Sequence, residues 1–111
     1  MQGLGNRGKE PIAVMNEMTA IKRVVLTERH QRPGRTRHFL YDGQEKREFP
    51  LFTSLAIVCH PDNPGSYFLM YLCENGQGTD TIHLTLDYAL HQAEYEFGVR
   101  PEEWINVREP F

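Results

Sequence analysis

The sequence predicts an α+β domain, in which an antiparallel sheet of four to five strands carries one amphipathic helix packed on a face. Two runs, residues 51–59 and 67–73, are apolar at both alternating positions, which is typical of central strands covered on each side. Residues 86–97 show the 3.6-residue period of a helix. Strands that pair through short turns and are followed by one helix are typical of the α+β class.

The length and the glycine distribution indicate one domain. With 111 residues, of which 40% are hydrophobic, the chain can bury a single core but cannot hold two domains around a cleft. Glycine at positions 3, 5 and 8, without any periodicity, predicts a flexible N-terminal arm over residues 1–18. Residues 19–111 then form the single α+β domain.

No segment has the character of a membrane or export signal. A membrane helix needs about 18 consecutive apolar residues, and no stretch approaches that length. The first residues, MQGLGNRGKEPIAV, lack the apolar segment of a signal peptide. We therefore expect a cytoplasmic protein that makes no membrane contact.

Three early segments favour strands. Residues 19–28 are rich in β-branched side chains and predict the first strand. Residues 36–41 and 44–49 flank Asp42 and Gly43, the dipeptide that favours a type I′ turn, and therefore predict a hairpin. The returning strand, residues 44–49, is polar and ends before Pro50, which is typical of a sheet edge.

The two cysteines lie in the two apolar runs. If these runs form a hairpin with Cys59 beside Tyr67, then Cys73 lies opposite Thr53. Six strand positions of about 3.3 Å each would separate the two sulfurs, which is far beyond the reach of a disulfide. We therefore expect two reduced thiols, both buried.

A short strand at residues 79–83 precedes the helix, whose two ends carry their own signals. Thr85 can cap the N-terminus, and Gly98 can take the left-handed conformation that ends many helices. Pro101 can start a short turn that returns Trp104 to the core. The apolar stripe comprises Leu86, Ala89, Leu90, Ala93 and Phe97, and the polar residues assigned off it are Asp87, Gln92, Glu94 and Glu96.

Residues 67–104 resemble a module of small uncharacterised bacterial α+β proteins. The module has a strand, an Asp-Thr-x-His element, a helix starting with Thr/Ser-Leu, an Ala-x-x-x-Ala-Glu-x-Glu-Phe-Gly run and a closing Trp. Here x of Asp-Thr-x-His is Ile82, where Trp is common in the module. The resemblance covers about a third of the chain and implies a fold module without a named function. The matching positions are Asp80, Thr81, His83, Thr85, Leu86, Ala89, Ala93, Glu94, Glu96, Phe97, Gly98 and Trp104.

Charge changes sign along the chain, although the total is only −3. Residues 22–47 hold eight Lys and Arg against three Asp and Glu, whereas residues 74–111 hold eight acidic side chains against two arginines. Two explanations stay open: the ends solvate different faces of the fold, or one face meets a charged partner.

The sequence lacks the signatures of known catalytic and cofactor sites. Residues 3–8 match the G-x-G-x-x-G pattern of dinucleotide sites, but no strand precedes them and no helix follows. Asp87, His91 and Glu94 share one side of the helix, yet carboxylate metal sites draw their ligands from several helices, so we favour a solvated face. We expect no catalytic residue, no metal and no cofactor.

Two alternative functions start from other residues. An enzyme hypothesis places Asp80 and His83 in acid/base roles. A nucleic-acid hypothesis rests on a basic loop, in which arginine can bind phosphate while Phe39 and Tyr41 stack on bases. A pI of about 5.9 counts against this second hypothesis, because dedicated nucleic-acid binders are strongly basic. The arginines of the loop are Arg29, Arg32, Arg35 and Arg37.

The favoured function is binding without catalysis. We expect a protein-interaction module, of the immunity or adaptor kind, that recognises an unidentified protein partner through its asymmetric charge. We also consider a homodimer, formed through the polar edge at residues 44–49 or through a surface that includes Tyr88 and Tyr95. Any nucleic-acid binding is expected to be weak.

Overall fold

The computed structural model of this chain describes residues 18–31 and 37–111, without the side chains of residues 42, 63 and 64. Apart from Met18, the predicted arm over residues 1–18 therefore lies outside the described residues. The strands are β1 Thr19–Val25, β2 Phe39–Asp42, β3 Glu45–Glu48, β4 Phe52–His60, β5 Asn63–Cys73, β6 Gly78–His83 and β7 Ile105–Pro110. The helices are α1 Glu28–Gln31, α2 Leu86–Phe97 and a 3-10 helix at Pro101–Glu103.

Five of these strands form one antiparallel sheet in the order β6-β5-β4-β1-β7. The other two, β2 and β3, form a separate hairpin. The helix α2 packs on one face of the five-stranded sheet, with its buried side chains in the main core. The predicted α+β class, an antiparallel sheet with one main helix on a face, is confirmed.

The first strand is shorter than predicted. β1 ends at Val25, and the backbone N–H of Leu26 donates to the carbonyl of Thr53 at 2.9 Å. The Thr27 N–H then bonds to the His30 ring at 2.9 Å, which caps the turn of α1 with a side chain from within that turn. Residues 28–31 are therefore helical, although the sequence indicates a strand as far as residue 28.

The last strand was not predicted. β7 pairs with β1 in a register that joins Lys22 to Asn106 and Arg23 to Ile105. Its side chains are exposed or half-buried, so it lacks the clear apolar alternation that marks the central strands. It completes the sheet through backbone pairing with a strand more than 80 residues earlier.

The early hairpin is confirmed, with its turn displaced by one residue. Asp42 pairs with Glu45, so the two turn residues are Gly43 and Gln44 rather than Asp42 and Gly43. Gly43 has a φ of +66°, which glycine adopts without steric cost. The returning strand β3 is exposed along its whole length, in agreement with its polar sequence, but its edge belongs to the small hairpin and not to the main sheet.

The hairpin formed by β4 and β5, in the centre of the sheet, has the predicted register at one end only. Cys59 lies opposite Tyr67, as predicted, but Cys73 lies opposite Phe52 instead of Thr53. A bulge between Phe52 and Ser54 causes this shift, because the extra residue of β4 is left without a partner on β5. Both cysteines are free thiols; Cys73 is buried, and Cys59 is half-buried rather than buried as predicted.

Each face of the sheet carries its own apolar cluster. The larger one lies under α2 and includes the fully buried Leu55, Ile57, Leu69 and Tyr71, closed by Trp104 as predicted. The smaller one lies on the other face and comprises Met18, Ala20, Ala56 and Val58, with Phe68, Met70 and Val107 packed against it. Among the described helices, none has the length and the apolar composition that crossing a membrane requires.

The predicted limits of α2 are confirmed at both ends. The Thr85 hydroxyl accepts a hydrogen bond from the Tyr88 N–H at 3.1 Å. Gly98 has φ +71° and ψ +22°, and its N–H donates to the Glu94 carbonyl at 2.8 Å. These contacts satisfy backbone groups that the ends of a helix otherwise leave without partners.

The left-handed conformation of Gly98 gives a testable prediction. A Cβ at this position is strained, so Gly98→Ala should lower the free energy of unfolding by about 1 kcal/mol in urea titrations. Gly65→Ala is the control, because an added Cβ there meets nothing within 4 Å and its φ is not left-handed. Equal stability of the two variants would contradict the role of Gly98 as the cap.

Candidate functional site

A charged side chain lies in the main core. Glu96, on α2, is only 3% exposed, although the sequence analysis assigned it to the solvent side of the helix. That assignment was wrong because Glu96 follows Ala89 by seven residues and Ala93 by three, which places it on the same helix face as these buried alanines. A buried carboxylate is costly unless hydrogen-bond donors surround it, so its partners are the first question.

Among the residues that the structure describes, three donors from different parts of the fold bind this carboxylate. The Nε2 of His38, just before β2, lies 2.8 Å from Oε1 of Glu96. The hydroxyl of Tyr71, on β5, donates to Oε2, as does Nε2 of Gln92, at 2.6 Å, from the preceding turn of α2. A single carboxylate thus ties the hairpin, the sheet and the helix together. We call these four residues the Glu96 network.

Tyr71 acts as a donor because its proton is held firmly. Burial raises the pKa of Tyr71 far above its ordinary value, and the hydrogen bond to Glu96 raises this pKa further. The hydroxyl oxygen also lies 3.3 Å from Oγ1 of Thr81 on β6. Since the Tyr71 proton points to Glu96, this oxygen is left to accept a hydrogen bond from Thr81.

His83 extends the Glu96 network on its other side. Its Nε2 lies 2.8 Å from Oγ1 of Thr81. Burial lowers the pKa of His83, and the charge of Glu96 offsets part of that effect, so the neutral ring is favoured. Hydrogen bonds therefore run without a break from His83 through Thr81 and Tyr71 to Glu96.

The other member of the predicted pair lies elsewhere. Asp80 and His83 are three positions apart on β6, and residues separated by an odd number of positions on a strand face opposite sides. Asp80 is on the exposed side, whereas His83 is on the half-buried side with Thr81. The structure therefore does not bring Asp80 and His83 together, and of the two His83 is the one joined to the Glu96 network.

A small cavity opens beside His38. It has a volume of about 160 Å³ and lies where the open end of the β2–β3 hairpin meets the C-terminal end of α2. Aromatic residues of its wall also contact each other: the ring centroids of Phe49 and Phe52 are 5.7 Å apart, and those of Phe52 and Phe97 are 6.3 Å apart. Among the described residues, the polar ones that line it are Gln31, Arg37, His38, Glu48 and Glu96.

A second polar cluster fixes α1 to the 3-10 helix. Because Nδ1 of the buried His30 accepts from the Thr27 N–H, its Nε2 carries the proton and donates to Glu103 at 2.8 Å. The backbone N–H of Arg100 and the guanidinium of Arg29 also donate to Glu103. The Arg100 N–H and then Arg29 are the main causes that lower the pKa of Glu103 to about 2.

The basic loop is only partly described. Arg29 is bound to Glu103, and Arg37 is bound to Glu48 through two nitrogens at 3.0 and 2.7 Å. Arg32 and Arg35 lie outside the described residues. Tyr41 is 71% exposed, and the Phe39 ring has Lys46 at 4.3 Å and Arg37 at 5.5 Å from its centroid. The two described arginines therefore already have carboxylate partners, and nucleic-acid binding stays a prediction.

The outer face of α2 carries aromatic side chains. Tyr88 is 59% and Tyr95 52% exposed, and the exposed His91 lies between them. These three residues fall within about 60° of one another around the helix axis. Asp87 and Glu94 are exposed along one side of this stripe. In residues 18–31 and 37–111, no three His, Cys, Asp or Glu side chains form a group that could hold a metal ion.

The Glu96 network gives a prediction for stability. In Glu96→Gln an amide group replaces one acceptor oxygen and faces a donor, so the free energy of unfolding should fall by about 2 kcal/mol. Glu94→Gln is the matched control, because Glu94 is exposed two residues away on the same helix. Urea titrations that give the same stability for both variants would show that the Glu96 network does not hold the fold.

Glu103 gives a prediction for pH dependence. Because its folded pKa of about 2 lies below its ordinary value of 4.5, the carboxylate stabilises the fold above about pH 4.5 and loses this effect as the pH falls towards 2. The difference in unfolding free energy between wild type and Glu103→Gln should therefore shrink from about pH 7 to about pH 3. Glu102→Gln, at an exposed neighbour, controls for general charge effects. A constant difference would contradict the assignment.

Comparison with known proteins does not identify a relative of this chain. No protein-family model, no curated protein and no solved structure matches this chain. The resemblance of residues 67–104 to a bacterial module stays an expectation from the sequence.

Proposed function

We propose that this chain is a protein-interaction module without catalysis, which binds a basic partner protein on the outer face of α2. The observation that supports this proposal is the pair of exposed tyrosines, Tyr88 and Tyr95, on that face. The opposite face of α2 supplies the side chains that the core needs, Ala89, Ala93 and Phe97. Neither outer tyrosine belongs to the buried core.

Tyrosine is well suited to such a surface. It offers a large apolar ring and a hydroxyl at a small cost in side-chain entropy, and it is enriched among the residues that dominate binding energy. Leu84, which is 73% exposed just before the N-cap, extends the apolar area beyond Tyr88. A run of exposed apolar groups along one helix face, with a polar border, is typical of a docking surface.

Charge favours a basic partner. Asp87 and Glu94 border the tyrosine stripe, and residues 74–111 hold eight acidic side chains against two arginines. Opposite charges at the border of an interface speed association and favour the correct partner. A second copy is a poorer occupant, since two antiparallel α2 helices would bring the acidic borders of both copies to one interface. An immunity or adaptor role fits such recognition of another protein.

The experiment compares proteins retained from lysate by matched tyrosine variants, after nuclease treatment. Tyr88→Ser/Tyr95→Ser should reduce the retained partner by at least about tenfold, because each tyrosine is a candidate for dominant binding energy. Tyr41→Ser is the control, since Tyr41 is 71% exposed on the hairpin, away from α2. It should retain the partner at the level of the wild type.

Charge neutralisation provides the second arm. Asp87→Asn/Glu94→Gln should weaken retention and flatten its dependence on salt, because it removes the acidic border. Equal retention by wild type and by the double tyrosine variant would overturn the proposal. Loss of all retained material after nuclease would also overturn it, in favour of nucleic-acid binding through the basic loop.

A further inference from the structure

The cavity beside His38 combines aromatic walls with carboxylates, and this combination selects a ligand class. We propose that it binds an alkylammonium or guanidinium group, carried by a small amine or by a lysine or arginine side chain. This site lies at the base of the hairpin and uses none of the residues of the tyrosine stripe on α2. It is therefore independent of the proposed docking surface.

The volume restricts the ligand to a small group. A cavity of about 160 Å³ lies below the roughly 300–1,000 Å³ that is typical of sites for drug-sized ligands. A cationic head with a stem of three or four carbon atoms fills this space. The cavity is not fully enclosed, so that a longer molecule or a peptide can remain outside while its end enters.

The walls suit a cation with an apolar stem. Phe49, Phe52 and Phe97 line the cavity, and aromatic faces attract cations through their negative charge density. The same rings offer dispersion contacts to the methylene groups of the stem. A compact, hydrated anion would gain neither effect from this wall.

The polar groups call for a hydrogen-bond donor. Glu96 holds the proton on Nε2 of His38, so in the neutral ring Nδ1 is an acceptor, and no described residue donates to it. An ammonium or guanidinium N–H complements this acceptor. The carboxylates of Glu96 and Glu48, which both line the cavity, favour a positive ligand over a negative one.

Arg37 is the cation that already lies at the rim. It pairs with Glu48, but the two side chains are 66% and 47% exposed, and exposed ion pairs are weak. The Arg37 guanidinium also lies 5.5 Å from the Phe39 ring, which can hold it when Glu48 turns to a ligand. Arg37 is thus a competitor whose removal should strengthen binding.

The test follows NMR shifts of the folded chain during titration with n-butylammonium, n-butanol and butyrate at constant ionic strength. For so small a ligand we expect a dissociation constant on the order of 1 mM for the ammonium ion. The alcohol and the carboxylate should bind at least about tenfold more weakly, because they lack the charge that the site selects. Shifts should centre on His38, Phe49 and Phe97.

Two variants change binding in opposite directions. Arg37→Gln should tighten n-butylammonium binding by about threefold or more, since it frees Glu48. Phe49→Leu should weaken binding, since it removes an aromatic face. Arg47→Gln is the control, because it removes a cation from the same hairpin but outside the cavity wall. A stability measurement on each variant confirms that it is folded.

Two results would overturn the proposal. One is equal binding of n-butanol and n-butylammonium, and the other is unchanged or weaker ammonium binding in Arg37→Gln. A parallel titration with Nα-acetyl-lysine methylamide, whose ε-ammonium group is free, separates the two sources of the cationic group, a free amine and a protein side chain. Binding by either probe supports the site, and the tighter probe identifies whether a free amine or a protein side chain is the better ligand.

Discussion

The buried carboxylate of Glu96 is the constraint on which the arrangement of the fold depends. A charge in the core must be surrounded by donors, and the described part of the chain supplies His38, Tyr71 and Gln92. Because they come from the hairpin, the sheet and the helix, satisfying one side chain fixes three parts of the chain relative to each other. The hairpin β2–β3 lies outside the main sheet and shares no strand pairing with it. The hydrogen bond of His38 to Glu96 is thus one of the contacts that compensate for this missing pairing.

Sequence analysis succeeded where the determinants are local. The ends of α2 were predicted because Thr85 and Gly98 act within one helical turn, and the Cys59–Tyr67 pairing follows from the short connection between β4 and β5. The sequence analysis was wrong where the structure of a segment depends on a residue far away in the chain. β7 is a strand because it pairs with β1, more than 80 residues earlier. The partner of Cys73 differs from the predicted one because of a bulge that no local sequence pattern indicates.

The candidate site was predicted only in part, for a similar reason. His83 attracted attention through the Asp-Thr-x-His element, and it does lie at one end of a hydrogen-bond chain. Asp80, the second residue of the predicted pair, is three positions from His83 and therefore lies on the opposite face of the strand. Glu96 was overlooked because glutamate in a helix is usually solvated. Its spacing from Ala89 and Ala93 was the available signal, whereas its partner His38 lies 58 residues away and has no such signal.

Burial of Glu96 also bears on the outer face of α2. A helix of 12 residues is marginal alone, but caps at both ends and the hydrogen bonds of Glu96 hold this one in place. Tyr88 and Tyr95 therefore lie on a rigid helix. The proposed binding of a partner would cost less conformational entropy there than on a flexible loop, because the backbone of the helix is already ordered. The two sides of α2 thus have different roles. On the inner side, the hydrogen bonds of the buried Glu96 fix the position of the helix. A fixed helix position favours the specific recognition that we propose for the exposed aromatic face.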